Sequence, residues 1–130
     1  LCRGMHLLVA EDNELNYEVV SELLGMYGVT CDRAEDGSVC VEKFSASAPN
    51  EYDAILMDVQ MPVMDGLQAA MTIRMLDHAR SRSIPIIALT ANALQSDIQR
   101  CIAAGMNSHL AKPIDVHQLL RALAALRRNG

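Results

Sequence analysis

Five short apolar runs, rich in Val, Ile and Leu, alternate along the chain with five stretches of helical periodicity. Each run is too short for a globular helix and is followed by polar or turn residues, as is typical of strands. Strands that alternate with helices predict an α/β fold with a doubly wound parallel sheet. The predicted strands are His6–Ala10, Val29–Arg33, Asp53–Met57, Pro85–Leu89 and Ser108–Ala111.

The intervening stretches carry the spacing of amphipathic helices. In the first, Val20, Leu23, Leu24 and Tyr27 fall on one face at intervals of three and four residues, and Gly28 is expected to end the helix as a C-cap. That face is predicted to pack against the sheet. The predicted helices are Asn13–Tyr27, Gly37–Ala46, Gly66–Ala79, Leu94–Ala104 and Val116–Arg127.

The composition fits one domain with an aliphatic core. The 130 residues are 51% hydrophobic, with no Trp and one Phe, and a single core commonly organises roughly 100 to 200 residues. The formal net charge is −5 and the 11 Lys and Arg residues are scattered, which argues against a nucleic-acid-binding domain. Arg121, Arg127 and Arg128 are attributed to a favourable helix C-terminus rather than to a binding patch. We expect residues 1–130 to form one unit, with a core from about 5 to 128.

The cysteine spacing and the short apolar runs indicate where in the cell the domain works. The cysteines at positions 2, 31, 40 and 101 form no C-x-x-C pair, which favours neither a zinc site nor a disulfide framework. A reduced, cytoplasmic location is therefore expected, whether or not a parent protein is anchored in a membrane. The longest apolar runs fall far short of the ~20 residues of a membrane span, so no membrane contact is expected from this domain. The chain begins without Met or a signal pattern, and we expect it to be a piece of a longer protein.

Polar residues stand where four of the predicted strands end. The first strand runs into Glu11 and Asp12, the third into Asp58, the fourth into Thr90 and the fifth into Lys112. In a doubly wound sheet, ligands bind at the carboxyl ends of the strands. All five groups are therefore expected to converge on one rim.

Three carboxylates at one rim repel one another unless a cation lies among them. Magnesium, which prefers oxygen ligands and substrate phosphates, is the natural cation, and the compact charge of Lys112 can hold one phosphoryl oxygen. An aspartate can attack phosphorus and form an aspartyl-phosphate, in a reaction that depends mostly on positioning and charge neutralisation. Thr90 is placed to supply a hydroxyl. The set predicts magnesium-dependent phosphoryl chemistry.

Four ordered segments resemble one family closely: VAEDN at 9–13, MDVQMPVMDG at 57–66, ALTANA at 88–93 and LAKP at 110–113. They are similar to the receiver domains of two-component signalling, which are related in fold to the chemotaxis regulator CheY. The resemblance covers nearly the whole chain and implies a flavodoxin-like sheet with strand order 2-1-3-4-5. It also implies transfer of a phosphoryl group from a phosphohistidine, with slow autodephosphorylation as the domain's only other chemistry.

The resemblance assigns a role to each residue of the rim. Asp58 is the implied phosphoacceptor, and the implied magnesium ligands are Glu11, Asp12, Asp58 and the backbone carbonyl of Val59. The implied phosphoryl-binding groups are Thr90, which also acts as the switch hydroxyl, and Lys112, whose bond to Pro113 is commonly cis in the family.

His109 stands three residues before Lys112, where the family usually carries Tyr or Phe. We expect His109 to replace the switch aromatic. Unlike Tyr or Phe an imidazole can carry charge, so the active state is expected to be better populated above about pH 7. Gln60 and Asn92 flank the water path in the family geometry and neither is a carboxylate, which predicts a phosphate that lasts minutes or more.

The phrases EDNELN at 11–16 and LTANA at 89–93 look most like receivers of hybrid sensor histidine kinases. Those usually exchange phosphoryl groups with a histidine phosphotransfer domain, so a histidine kinase or such a domain is the expected partner. Asn16 and Val19 share a helix face distinct from the core stripe. Together with Pro113, these residues are expected to face the partner.

Alternatives to this interpretation remain open. The domain could be a stand-alone response regulator, a receiver that no longer accepts phosphate, or a flavin-binding module of the same fold. A haloacid-dehalogenase-like phosphatase would also use an aspartyl-phosphate and magnesium. That enzyme needs an acid two residues after the nucleophile, and this chain has Gln60 there, an amide with no proton to give.

Overall fold

A computed structural model of the chain describes residues 2–91 and 94–129, the last two by their backbone alone. Five strands and five helices alternate within these residues. The strands are β1 (His6–Ala10), β2 (Thr30–Ala34), β3 (Ala54–Asp58), β4 (Ile86–Thr90) and β5 (Ser108–Ala111). The helices are α1 (Glu14–Gly25), α2 (Gly37–Ser45), α3 (Gly66–Arg74), α4 (Gln95–Ala103) and α5 (Val116–Asn129).

The strands form one parallel sheet in the order β2-β1-β3-β4-β5. This confirms the predicted fold class and strand order. The chain moves outward from β1 to β2 and then returns to place β3 on the other side of β1, so the order reverses between β1 and β3. Ligands bind at this switch point in open α/β sheets.

The sheet separates two apolar layers, because alternate side chains of each strand point to opposite faces. One layer joins Leu8, Ile55 and Ile86 to the helices α2, α3 and α4. The other joins Leu56 and Ile87 to α1 and α5. Every residue of β3 and β4 is buried, and a fully buried Leu or Ile contributes about 1.5 to 3 kcal/mol. The central strands therefore form a firm base for the polar residues at their ends.

The strands β2, β3 and β4 begin and end one residue later than predicted. Asp58 and Thr90 are consequently the last residues of strands rather than the first residues of loops. Asp58 pairs with Leu89, and Thr90 pairs with Ala111. Pro85 has no N–H to donate and precedes β4. Because the sheet ladder holds their backbones, both functional side chains start from fixed positions.

Helix α1 is shorter than predicted, and the prediction was wrong for Tyr27. The helix ends at Gly25, and Gly28 takes a positive φ of 79° in the turn that follows. This turn carries Tyr27 away from the apolar stripe, so its side chain is 37% exposed. Val20 and Leu24 do lie in the core as predicted.

Helix α3 was predicted to run to Ala79 but ends at Arg74. The Arg74 guanidinium donates hydrogen bonds to the carbonyls of Gly105 and Ser81 and to the side chain of Asn107. These bonds hold the chain after α3 against the loop before β5. Within residues 2–91 and 94–129, none of the helices has the length and apolar character needed to cross a bilayer.

Candidate functional site

Three carboxylates meet at the carboxyl ends of β1 and β3. Ala10 pairs with Met57 in adjacent strands, which places Glu11 beside Asp58. Glu11, Asp12 and Asp58 each offer an oxygen, and these three oxygens lie within 4.8 Å of one another. Glu11 and Asp58 are both only 4% exposed, whereas Asp12 is open to solvent. The predicted acidic set is therefore assembled around one point.

Lys112 brings a positive charge to these acids from the end of β5. Its Nζ donates to Asp58 Oδ2 at 2.6 Å and lies 3.6 Å from Glu11 Oε1. Burial lowers the pKa of the Lys112 ammonium, but the hydrogen bond and charge of Asp58, together with the charge of Glu11, outweigh burial and raise it. Lys112 is therefore charged at neutral pH. The Lys112–Pro113 peptide bond is cis, as the resemblance predicted.

Both oxygens of Asp58 have fixed partners. Lys112 holds Oδ2, and the backbone N–H of Gln60 donates to Oδ1 at 3.0 Å. The following loop folds back closely, since a Cβ on Gly66 would lie 2.3 Å from the carbonyl oxygen of Asp58. The N–H of Gly66 also donates to the carbonyl of Val59 at 2.9 Å. That carbonyl keeps one lone pair, and its role as a metal ligand stays a prediction.

Glu11 is held from the start of α1. The backbone N–H of Asn13 donates to Glu11 Oε2 at 3.0 Å, while the Asn13 side chain caps the helix by accepting from the N–H of Asn16. Burial raises the pKa of Glu11, and the nearby charge of Asp58 acts in the same direction. The Asn13 hydrogen bond and the Lys112 charge partly offset this effect. The buried Glu11 carboxylate is thus stabilised in its charged form by a nearby positive charge.

These residues line one cleft of about 640 Å³, which we call the acidic cleft. Thr90 lies on its wall, is 7% exposed, and accepts the backbone N–H of Lys112 with its own carbonyl at 2.8 Å. Gln60 also lines the cleft, while Asn92 lies outside the described residues. The five predicted groups are therefore brought together as expected.

Helix α4 adds three lining residues that sequence reasoning missed: Asp97, Arg100 and Cys101. Their spacing puts them on one helix face, which was the available signal. Arg100 lies 3.8 Å from Asp97 in an exposed pair, and such pairs contribute only about 0 to 1 kcal/mol. The guanidinium is therefore only weakly held at the edge of the cleft.

The residues predicted to face a partner or to switch lie around the cleft. Asn16 is exposed and lines it, and Val19 is 50% exposed on the outer surface of α1. Pro113 is exposed after β5. His109 is half-buried on β5, paired with Ala88 of β4. Their partner and switch roles stay predictions.

The donor set fits a hard divalent cation. Two like charges 4 Å apart repel by roughly 4 kcal/mol near a protein surface, and one ammonium cannot neutralise three carboxylates. Carboxylate oxygens are the ligands that magnesium prefers, usually completed by waters and phosphate. Fold and cleft together define a doubly wound α/β domain with an aspartate, a hydroxyl and a lysine at the switch point.

The sequence profile of the response regulator receiver domain family matches residues 7–124. The chain belongs to this family, and it is a receiver domain of two-component phosphorelay signalling. It is 44% identical over 117 residues to the peroxide stress-activated histidine kinase mak1 of Schizosaccharomyces pombe. The match covers 89% of this chain but only 7% of that kinase. The chain thus corresponds in length to only a small part of this kinase.

Solved structures agree with this assignment. The receiver domain of sensor histidine kinase PA1611 from Pseudomonas aeruginosa is 41% identical, with a TM-score of 0.84 over 95% of this chain and 98% of that one. Its active-site cleft holds a magnesium ion. A second match comes from the complex of the Saccharomyces cerevisiae phosphotransfer protein Ypd1 with the receiver domain of Ssk1. There the identity is 27% and the TM-score 0.80, covering 92% of this chain and 86% of the other.

Proposed function

We propose that the domain accepts a phosphoryl group from a phosphohistidine on Asp58, in a magnesium-dependent reaction that changes its partner interactions. The observation that carries the proposal is the geometry of Asp58. Its carboxylate is buried, fixed at both oxygens, and lies 2.6 Å from the Lys112 ammonium beside two further acids. A merely structural acid does not need two acidic neighbours.

The side chains divide the work of the transfer. An Asp58 oxygen attacks phosphorus, the bond from phosphorus to the donor nitrogen breaks, and that nitrogen keeps the electron pair. Lys112 moves from Asp58 to an oxygen of the transferred group, and the Thr90 hydroxyl donates to another. Glu11, Asp12 and Asp58, with the Val59 carbonyl, would hold a magnesium ion that neutralises the charge gathered there.

Phosphorylation by acetyl phosphate is expected to require a divalent cation. Without one, the incoming phosphate meets three carboxylates and only one nearby ammonium, so chelation should slow labelling at least about a hundredfold. Intact-mass analysis measures the added phosphoryl group with magnesium and with excess chelator.

Two variants sharpen this test. Asp12→Asn removes an implied ligand and should raise the magnesium concentration needed for half-maximal labelling, whereas Glu14→Gln, an exposed acid on α1 outside the cleft lining, should behave as wild type. Equal labelling with and without chelator would show that no metal takes part.

A histidine phosphotransfer domain is the proposed partner, docking over the start of α1 and the loop after β5. Leu15 and Val19 are 67% and 50% exposed there, and Pro113 lies on the loop. The Ypd1 complex supports this kind of partner for receivers. The surface joins an apolar patch to the rim of the acidic cleft, so docking would bring a phosphohistidine towards Asp58.

Val19→Asp is expected to slow transfer from a phosphotransfer domain about tenfold, because a charge replaces an apolar contact at the interface. Labelling by acetyl phosphate should be unchanged. Met75→Asp, at a residue 87% exposed just after α3, is the matched control. A parallel loss in both assays would indicate a folding defect, and no loss in either would remove Val19 from the interface.

We infer that the domain is part of a hybrid sensor histidine kinase and works in the cytoplasm. Support comes from the 44% identity to a histidine kinase, against 28% for a CheY4 chemotaxis protein of Vibrio cholerae. Free thiols suit a reduced compartment, and the four cysteines, of which Cys2, Cys40 and Cys101 are buried, are all unbridged.

A further inference from the structure

A second groove lies apart from the acidic cleft, where the turn after α1 and the N-terminal residues meet α5. Its volume is about 640 Å³, and none of its lining residues lines the acidic cleft. Its lining combines small and flexible apolar side chains with two arginines and the rings of Tyr27 and His117. The lining residues of this α1–α5 groove are Cys2, Arg3, Met26, Tyr27, His117, Leu120, Arg121, Ala124 and Ala125.

The charge of the groove is opposite to that of the chain. Arg3 and Arg121 line it, and none of its described lining residues is acidic, although Asp and Glu outnumber Lys and Arg by 16 to 11 in the whole sequence. The sequence interpretation attributed Arg121 to a helix C-terminus. Because α5 continues to Asn129, Arg121 lies in the middle of the helix instead. Its charge faces the groove rather than the last carbonyls of α5.

Tertiary contacts hold the groove open. The N–H of Gly4 donates to the carbonyl of Gly28 at 2.8 Å. The Arg3 side chain also packs against Gly28, since a Cβ on Gly28 would lie 2.7 Å from Arg3 Cγ. The Tyr27 ring contacts the His117 ring edge-on, with centroids 6.0 Å apart, and this contact joins the turn after α1 to α5. Contacts between the N-terminal residues, the turn after α1 and α5 thus shape the groove.

We propose that the α1–α5 groove binds an acidic amphipathic helix of a protein partner. The stretch of α5 from residue 117 to 125 is about 12 Å long at 1.5 Å per residue, which matches two turns of a second helix. Met26 is 74% exposed, and Met side chains adapt to varied apolar partners. Ala124 and Ala125 leave room for a helix to approach closely.

The form of the partner follows from the elements that build the groove. Its lining comes from the N-terminal residues, the turn after α1 and α5, and not from the edge strands β2 or β5. An added strand therefore finds no backbone edge to pair with there, whereas a helix can place apolar side chains at i, i+3, i+4 and i+7 in such a groove. Carboxylates flanking that stripe can form charge-assisted hydrogen bonds with Arg3 and Arg121.

The test uses a synthetic helical peptide of roughly 14 residues, with Leu at i, i+3, i+4 and i+7 and Glu on both flanks. NMR titration of the ¹⁵N-labelled chain should show shifts at Tyr27, His117 and Arg121. The same peptide with Lys in place of Glu should bind at least about tenfold more weakly. Arg121→Glu should weaken binding of the Glu peptide about tenfold, while Arg82→Glu, an exposed residue outside the groove, should not.

Several results would overturn the proposal. These are the absence of shifts, shifts confined to the acidic cleft, and equal binding of the Lys and Glu peptides. Preferential binding to phosphatidylserine vesicles through the same residues would assign the groove to a membrane surface. A dimer that Arg121→Glu dissociates would assign it to a second copy of the chain. The spectrum of each variant reports directly on its fold, and acetyl phosphate labelling of Arg121→Glu should equal that of wild type.

Discussion

Asp58→Asn is expected to abolish phosphorylation by acetyl phosphate. The amide keeps the shape of the side chain and can still accept the Gln60 N–H, which now lies 3.0 Å from Asp58 Oδ1. It lacks the negative charge that attacks phosphorus and attracts Lys112 at 2.6 Å. Loss of the nucleophile should slow labelling at least about 10³-fold. Intact-mass analysis in the presence of magnesium measures it, with peptide mapping to place any residual phosphate.

Asp77→Asn is a matched control, since it makes the same chemical change at an exposed site outside the acidic cleft. It should label as wild type. Labelling of Asp58→Asn at an unchanged rate would remove Asp58 as the acceptor. Phosphate mapped to Glu11 or Asp12 in that variant would mean that the cleft activates phosphorus without selecting a single acid.

The sheet was predictable because its sequence signal is local. Each strand is a short apolar run between turn residues, and β1 and β5 have the predicted bounds. The one-residue shift of the other strands depends on pairing, which no single segment specifies. Asp58 belongs to β3 only because Leu89 of the adjacent strand lies opposite it. Local pattern thus identifies the strands, and their pairing sets the ends.

Helix ends were predictable only where a residue specifies them locally. The side chain of Asp36 caps α2 and that of Asp65 caps α3, and both helices begin at the predicted glycine. The end of α3 has no such signal. It coincides with hydrogen bonds from the Arg74 guanidinium to Gly105 and Asn107, about thirty residues later in the chain, so tertiary contacts outweigh the local pattern there.

The candidate site was predictable because its residues end strands that meet at one rim. The sequence did not predict which residues outside the strand ends line the cleft. Arg100 and Cys101 reach it from α4, and Val59 already accepts a hydrogen bond from Gly66. The α1–α5 groove joins residues 2 and 3 to residues more than a hundred positions away. Such contacts follow from packing and not from a motif.

Lys112→Met is expected to change two measurements in opposite directions. The Met side chain is close to Lys in length but carries no charge. Without the ammonium, an oxygen of the transferred phosphoryl group loses its counter-charge, so phosphorylation by acetyl phosphate should slow about 10² to 10³-fold. The same change leaves Glu11 and Asp58 without the cation that now lies 3.6 Å and 2.6 Å away. Magnesium should therefore bind more tightly, by about tenfold, because it no longer competes with a resident positive charge.

Isothermal titration with magnesium and mass analysis of phosphorylation measure the two effects on the same preparation, with Lys43→Met, at an exposed lysine outside the cleft, as the control. The opposite signs separate chemistry from folding, since a variant that merely disturbs the cleft loses both magnesium binding and phosphorylation. Weaker magnesium binding together with slower labelling would show that Lys112 maintains the shape of the cleft. Unchanged labelling would show that another group neutralises the phosphoryl oxygens instead. Arg100, the other cation among the described residues that line the cleft, would then be the candidate.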